Sequence, residues 1–198
     1  MCCLFFCLHC VNLSPDQSTI GIMSDLPQQT FTTTLPLTAY HHASTLPPTA
    51  DWFELDRGPG YIAIPPGSVL RLRLRTIDDP TLAILTREIG SVSAITALDL
   101  AENRNITDQG LKYLSTLKQL TYLNLSSCSI TADGLAHLSV LSKLQVLDLS
   151  FCNRLSDAGL KHLRSLTQLQ LLNVQGCVKL THGGLARLKR RGLTIYEK

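Results

Sequence analysis

From residue 69 onward, apolar and polar positions fall into a pattern that returns every 24 to 26 residues, five times in full, with a sixth copy begun. The clearest copies read Ile95-x-x-Leu98-x-Leu100-x-x-Asn103, Leu120-x-x-Leu123-x-Leu125-x-x-Cys128, Leu144-x-x-Leu147-x-Leu149-x-x-Cys152 and Leu169-x-x-Leu172-x-Val174-x-x-Cys177, with starts 25, 24 and 25 residues apart. A weaker copy precedes them at Val69-x-x-Leu72-x-Leu74, its turn compressed to residues 75–80, and Leu193-x-Ile195 opens another. The L-x-L alternation predicts a short strand with its leucines inward. Asn103, Cys128, Cys152 and Cys177 then occupy the sharp turn, as a ladder of small groups that tolerate burial and bond buried backbone.

Each turn is followed by a second pattern, as in Ile106-Thr107-Asp108-x-Gly110-Leu111-x-x-Leu114 and Ile130-Thr131-x-x-Gly134-Leu135-x-x-Leu138. Thr107, Thr131, Ser156 and Thr181 have the chemistry of helix N-caps, and Leu111, Leu114 and Leu117 line one helix face. The unit is therefore strand, turn, helix. One such unit cannot bury both its strand and its helix leucines, so neighbouring copies must stack on a shared core.

These motifs resemble the leucine-rich repeat family, and the Cys at the turn followed by I-T-D-x-G-L is similar to its cysteine-containing subtype, known from F-box adaptors and bacterial repeat proteins. The resemblance covers about two thirds of the chain. It implies an α/β solenoid, a right-handed horseshoe with parallel strands on the concave face and helices on the convex face. It also implies protein recognition on the concave face. Asn103 departs from the subtype, which has Cys at that position.

Strand alternation places two columns on that face. The first reads Arg71, Ala97, Tyr122, Val146, Leu171, Ile195 and the second Arg73, Asp99, Asn124, Asp148, Asn173, Glu197. An apolar stripe thus adjoins an acid and amide stripe, so Tyr122, Val146 and Leu171 are expected to desolvate against a partner while Asp99, Asn124, Asp148 and Asn173 select its polar groups. The competing reading is that acid and amide columns reflect strand chemistry and solubility alone. Arg71, Arg73 and Arg75 are expected to pair with Asp99 and Glu102. Arg187, Lys189, Arg190 and Arg191 suit a helix end before a Gly192 cap.

The chain divides into a low-complexity N-terminal tail (1–50) expected to be disordered, a capping segment (51–68) and the repeats (69–198). Residues 14–49 are rich in Ser, Thr, Pro and Gln, and Asp51-Trp52-Phe53-Glu54-Leu55 with Tyr61-Ile62-Ala63-Ile64 is expected to form a hairpin over the first repeat. At the start, Cys2, Cys3, Cys7 and Cys10 interleave with Leu4, Phe5, Phe6 and Leu8. An acylated anchor, a metal site of Cys7, His9 and Cys10, and an unstructured extension are the open readings, with 1–22 lying upstream of an alternative start at Met23. A lone C-x-x-C is weak evidence for zinc, and the run is too short to span a bilayer, so neither metal nor stable membrane insertion is expected.

Composition agrees with a Leu-rich solenoid: 44% of residues are hydrophobic, 6% aromatic, and the net charge of +3 on 198 residues calls for no nucleic acid. Of the seven cysteines, the three in the turn ladder are expected to be buried free thiols, which fits a reducing cytoplasm. No nucleophile elbow, phosphate loop or zinc-protease helix is present. His41 and His42 fall in the polar tail, His137 and His162 on solvent-facing helix positions, and His182 after an N-cap, so all are expected at the surface. The function expected is non-catalytic protein binding without a cofactor. A ubiquitin-ligase adaptor is the alternative, and it requires an F-box that the Pro-rich segment before residue 69 does not supply. A monomer is expected, with pairing of the Leu193 edge between two chains as the other arrangement.

Overall fold

The computed structural model describes residues 29–197, so the readings of residues 1–28 lie outside it. Strands β1 (Gln29–Thr33), β2 (Leu37–Ala43), β3 (Phe53–Arg57), β4 (Gly60–Ile64) and β5 (Ser68–Leu74) come first, followed by helix α1 (Asp79–Ile89). From there strands and helices alternate: β6 (Ile95–Asp99), α2 (Asp108–Leu114), β7 (Tyr122–Asn124), α3 (Ala132–Leu138), β8 (Val146–Asp148), α4 (Asp157–Leu160) with a 3-10 turn at Lys161–Ser165, β9 (Leu171–Asn173), α5 (His182–Ala186) and β10 (Thr194–Tyr196).

Eight strands form one sheet in the order β10-β9-β8-β7-β6-β5-β2-β3, parallel from β5 to β10 and antiparallel at β2 and β3. The repeats stack as a solenoid because each strand leucine meets its counterpart in the next copy: Leu98, Leu123, Leu147 and Leu172 pair in register and are fully buried. Strand and helix leucines join one apolar cluster running from Phe31 to Leu188. In the first copy a register shift brings Leu70, rather than Val69, opposite Ile95. That copy also has its own helix, since Asp78 accepts from the Thr81 N–H at 3.0 Å and Pro80 sits in the first turn, where no N–H is needed.

Neighbouring helices are tied at their starts. Asp79 accepts from the N–H and hydroxyl of Thr107 (2.8 and 2.6 Å), Asp108 from those of Thr131 (2.7 and 2.6 Å), and Asp157 from those of Thr181 (2.9 and 2.6 Å). A Cβ added at Gly110 or Gly134 would lie 2.3 Å from Asp79 or Asp108 Oδ1, so glycine is what lets the carboxylate reach the next helix. The tie is missing once: Ala132 occupies the aspartate position, and Ser156, expected as an N-cap, makes no side-chain cap bond.

The N-terminal region overturns two expectations. Residues 29–43, read as part of a disordered tail, form β1 and β2, with Phe31, Thr33, Leu35, Leu37 and Ala39 alternating inward. The expected hairpin of residues 51–64 does not form. β3 pairs with β2, whereas β4 pairs with β1. The reason is the exposed core of the first repeat: β2 covers β5 along seven residue pairs. Glu88 on α1 holds β1 by accepting from Thr33 Oγ1 (2.8 Å) and from Thr34 N (3.1 Å) and Oγ1 (2.6 Å).

Further along, α5 ends at Ala186, before the basic cluster, and Gly192 has a left-handed φ of 84° in the following turn. Among the described residues no helix is long and apolar enough to cross a membrane.

Candidate functional site

On the sheet face away from the buried strand leucines, registers align two columns across the strands. The first is Tyr40, Arg71, Ala97, Tyr122, Val146, Leu171, Thr194, and the second Thr38, Arg73, Asp99, Asn124, Asp148, Asn173, Tyr196. The last members correct the expected Ile195 and Glu197. The chain returns to the sheet one residue sooner after α5, which turns Ile195 inward against the core.

The columns are less open than alternation alone implies. Ala97 is fully buried and Val146 is 6% exposed, so the first column is no continuous apolar stripe. Tyr122 and Leu171 remain half-buried. The guanidinium of Arg71 extends over Ala97, 4.6 Å from the Tyr122 ring centroid, and donates to the Tyr122 hydroxyl at 3.2 Å. Burial pushes the Tyr122 hydroxyl up from its usual pKa, which keeps it protonated.

Asp99 is also buried, at 2% exposure, and is not presented to solvent as expected. Its Oδ2 accepts from Arg73 Nε at 2.7 Å and Arg71 Nη2 at 3.2 Å. Burial alone would raise the Asp99 carboxyl, but the Arg73 hydrogen bond and the charges of Arg71 and Arg73 outweigh it and hold the group below its usual value. Arg75 lies 3.4 Å from Glu102, so all three arginines pair as expected.

The acid and amide column has a local structural role. One side-chain oxygen of each member accepts the backbone N–H two residues on: Asp99 from Ala101 (3.3 Å), Asn124 from Ser126 (2.9 Å), Asp148 from Ser150 (2.8 Å) and Asn173 from Gln175 (3.1 Å). Each closes the end of its strand as an Asx turn. Asn173 Nδ2 also donates to Asp148 Oδ2 at 3.0 Å, linking two copies.

The turn ladder lies just beyond. Asn103 Nδ2 donates to the carbonyls of Leu74 and Leu100, both at 2.9 Å, while its Oδ1 accepts from Ile77 N at 2.9 Å. The thiols of Cys128, Cys152 and Cys177 donate to the carbonyls of Leu100, Leu125 and Leu149 at 3.4, 3.2 and 3.0 Å. Burial pushes the Cys128 and Cys152 thiols up to about 12 and raises Cys177, which suppresses thiolate chemistry. The residue before each ladder member, from Glu102 through Ser127 and Phe151 to Gly176, has a left-handed φ of 58° to 71°. For the exposed Phe151 that is an unusual backbone state.

Sequence reasoning missed the groups that complete the N-terminal end of this face. Tyr40 lies under Arg73 (5.1 Å from guanidinium carbon to ring centroid), and Trp52 lies 5.9 Å from Arg71. His42, expected at the surface, is 3% exposed, with Trp52 edge-on at 4.0 Å. The alternation of the inward Leu37 and Ala39 with the outward Thr38 and Tyr40 was the available signal for β2. Among the described residues no cluster of three or more His, Cys, Asp or Glu is arranged to hold a metal ion.

The family model described as Leucine Rich repeat matches residues 94–115, 117–139 and 140–163. A chain of the Rad7 and Elc1 complex in yeast is similar in structure, at 20% identity and a TM-score of 0.52 over 62% of this chain and 30% of that one. An internalin C2 from Listeria monocytogenes matches at 26% identity and a TM-score of 0.41 (56% and 45% of the two chains), and an internalin inlF from the same organism at 22% and 0.40 (65% and 46%). This chain spans less than half the length of each of these. No curated protein matches the sequence. Residues 94–163 thus match the leucine-rich repeat in three consecutive copies, stacked on a parallel sheet and sharing one core.

Proposed function

We propose that the chain is a non-catalytic protein-interaction module, and that its ligand docks on the open sheet face, which we take as the concave side of a right-handed horseshoe. The observation that carries this reading is the gathering of Tyr40, Trp52, Arg71, Arg73 and Tyr122 at one end of that face. Trp, Tyr and Arg are the residue types that dominate protein interfaces energetically, and here their mutual contacts hold them in place before any ligand arrives. Tyr122, Asn124, Asp148, Leu171 and Asn173 provide the contact path along the face. Val146 and Asp99 act from beneath it, Asp99 by fixing the two arginines.

The likeness to the yeast complex is one of fold and selects no partner. In this reading the N-terminal strands are the cap of the repeat array, the free thiols belong to a reducing cytoplasm, and the protein is a monomer whose three-residue edge strand β10 is too short to recruit a second copy.

Affinity capture from native lysate tests the reading, with wild type against a Tyr122→Ala/Leu171→Asp variant whose melting curve shows that it is folded. Wild type is expected to retain proteins that the variant loses. Equal yields of the same proteins would refute the proposed face.

A further inference from the structure

We propose that a groove beside this cluster, between residues 44–52 and the starts of the central strands, binds an extended, uncharged peptide segment that donates a hydrogen bond to His42 Nε2. The proposal rests on the protein-binding reading and gives it a defined subsite. His42 Nδ1 lies 2.7 Å from the Ala43 carbonyl oxygen, which can only accept, so Nδ1 carries a proton and Nε2 of the neutral ring is a bare acceptor. Nε2 is buried and has no hydrogen-bond partner. Leaving a buried acceptor unpaired costs free energy that a donor from a ligand would recover.

The ring cannot easily turn to find another partner. Trp52 packs edge-on against it, and Trp52 is itself held by donation from Nε1 to the Pro48 carbonyl at 3.3 Å. The groove into which His42 faces has a volume of about 450 Å³, with Leu46 and Trp52 on its wall and Thr96, Thr121 and Gln145 on its floor. No Asp, Glu, Lys or Arg lines it, so a charged segment would lose hydration without compensation.

The floor residues belong to successive copies and are stacked by backbone bonds from Thr121 N to Thr96 O and from Gln145 N to Thr121 O, both 2.8 Å. They therefore carry the floor across three strands spaced about 4.8 Å apart, an elongated shape that suits a chain laid across the strands better than a compact small molecule. Trp52 is shared between the groove and the Arg71 contact, which makes the groove continuous with the proposed interface.

The test uses the full chain as bait for a phage-displayed library of random peptides about 12 residues long, which at roughly 3.3 Å per extended residue span the groove with flanking residues to spare. Selected peptides are expected to be uncharged at the contact and to lose about tenfold or more in affinity on His42→Phe, which keeps the ring packing and removes the acceptor. Val178→Asp, on an exposed turn away from the face, is expected to leave affinity unchanged. In wild type, the 15N signal of His42 Nε2 is expected to shift when peptide is added, and this decides the matter if the Phe variant fails to fold. A library that yields no peptide, or peptides that survive His42→Phe with the Nε2 signal unmoved, would overturn the proposal. Loss on Leu171→Asp without loss on His42→Phe would reject the groove and retain the wider face. Insensitivity to both would reject both.

Discussion

Arg71 lies over the ring of Tyr122, 4.6 Å from its centroid, although the two residues sit on strands separated by the strand that carries Ala97. The contact forms because Ala97 is too small to fill the space between them. A double-mutant cycle of Arg71→Ala and Tyr122→Ala is expected to give a coupling of about 1 kcal/mol in urea unfolding. Repeating the Tyr122 substitution in an Ala97→Leu background, where the added side chain displaces the guanidinium, is expected to remove that coupling. Additive single effects would mean that the residues are merely adjacent.

Asp99 ties Arg71 and Arg73 together from a buried position, so Asp99→Asn is expected to destabilise the fold by about 2 to 4 kcal/mol at neutral pH, less than for a fully enclosed ion pair because Arg73 is partly exposed. The pH dependence has a definite sign. The folded carboxyl titrates below its unfolded value of about 3.9, so its contribution is complete above that value and is lost as pH falls through the folded one. The gap between wild-type and Asp99→Asn urea midpoints should be flat near neutrality and narrow only below about pH 4. A gap that closes near neutral pH would contradict the assigned pair.

At the first rung of the turn ladder, Asn103 is 2% exposed and satisfies both a backbone N–H and two carbonyls. Asn103→Ala should therefore cost about 2 to 4 kcal/mol, since Ile77 N–H and the Leu74 carbonyl are left buried without partners. Asn103→Cys is expected to cost less, because a thiol occupies the equivalent place in the next three copies and keeps a carbonyl bond. Thermal or urea melts that rank the two variants in the reverse order would show that the turn depends on volume rather than hydrogen bonding.

The thiols of Cys128, Cys152 and Cys177 should resist iodoacetamide in the native protein at about pH 8, because burial pushes the first two up to about 12 and raises Cys177 as well, which keeps the unreactive thiol form. Peptide mapping by mass spectrometry after native and denaturing alkylation provides the check. Rapid native labelling of Cys152, which is fully buried, would mean that the ladder opens locally.

Much of this fold can be read from the chain because its signals are local and repeated. The inward leucines and the caps at Thr107, Thr131 and Thr181 all lie within a few residues of the element they specify. Ser156 has the same cap chemistry and makes no cap bond, in the one copy where Ala132 replaces the aspartate that ties its counterparts. The strands of residues 29–43 were harder to see. Their inward set of Phe31, Thr33, Leu35, Leu37 and Ala39 is broken by Pro36 and thinned by threonines, and their partners β4 and β5 lie some thirty residues away. Likewise, alternation places Tyr122, Asn124, Asp148, Leu171 and Asn173 on one face, but cannot tell that Asp99 and Val146 are covered there.

By itself the sequence determined the stacked repeat, its turn ladder and the two columns of the open face as far as Leu171 and Asn173, since each follows from a short-range period that the copies restate. Only the tertiary structure decided which atoms on that face remain available. Arg71 reaches across Ala97 to Tyr122, Asp99 is consumed by two arginines, and His42 is enclosed beneath Trp52. These contacts join residues far apart in the chain through the packing of the N-terminal strands on the first repeat, and no local pattern encodes that packing.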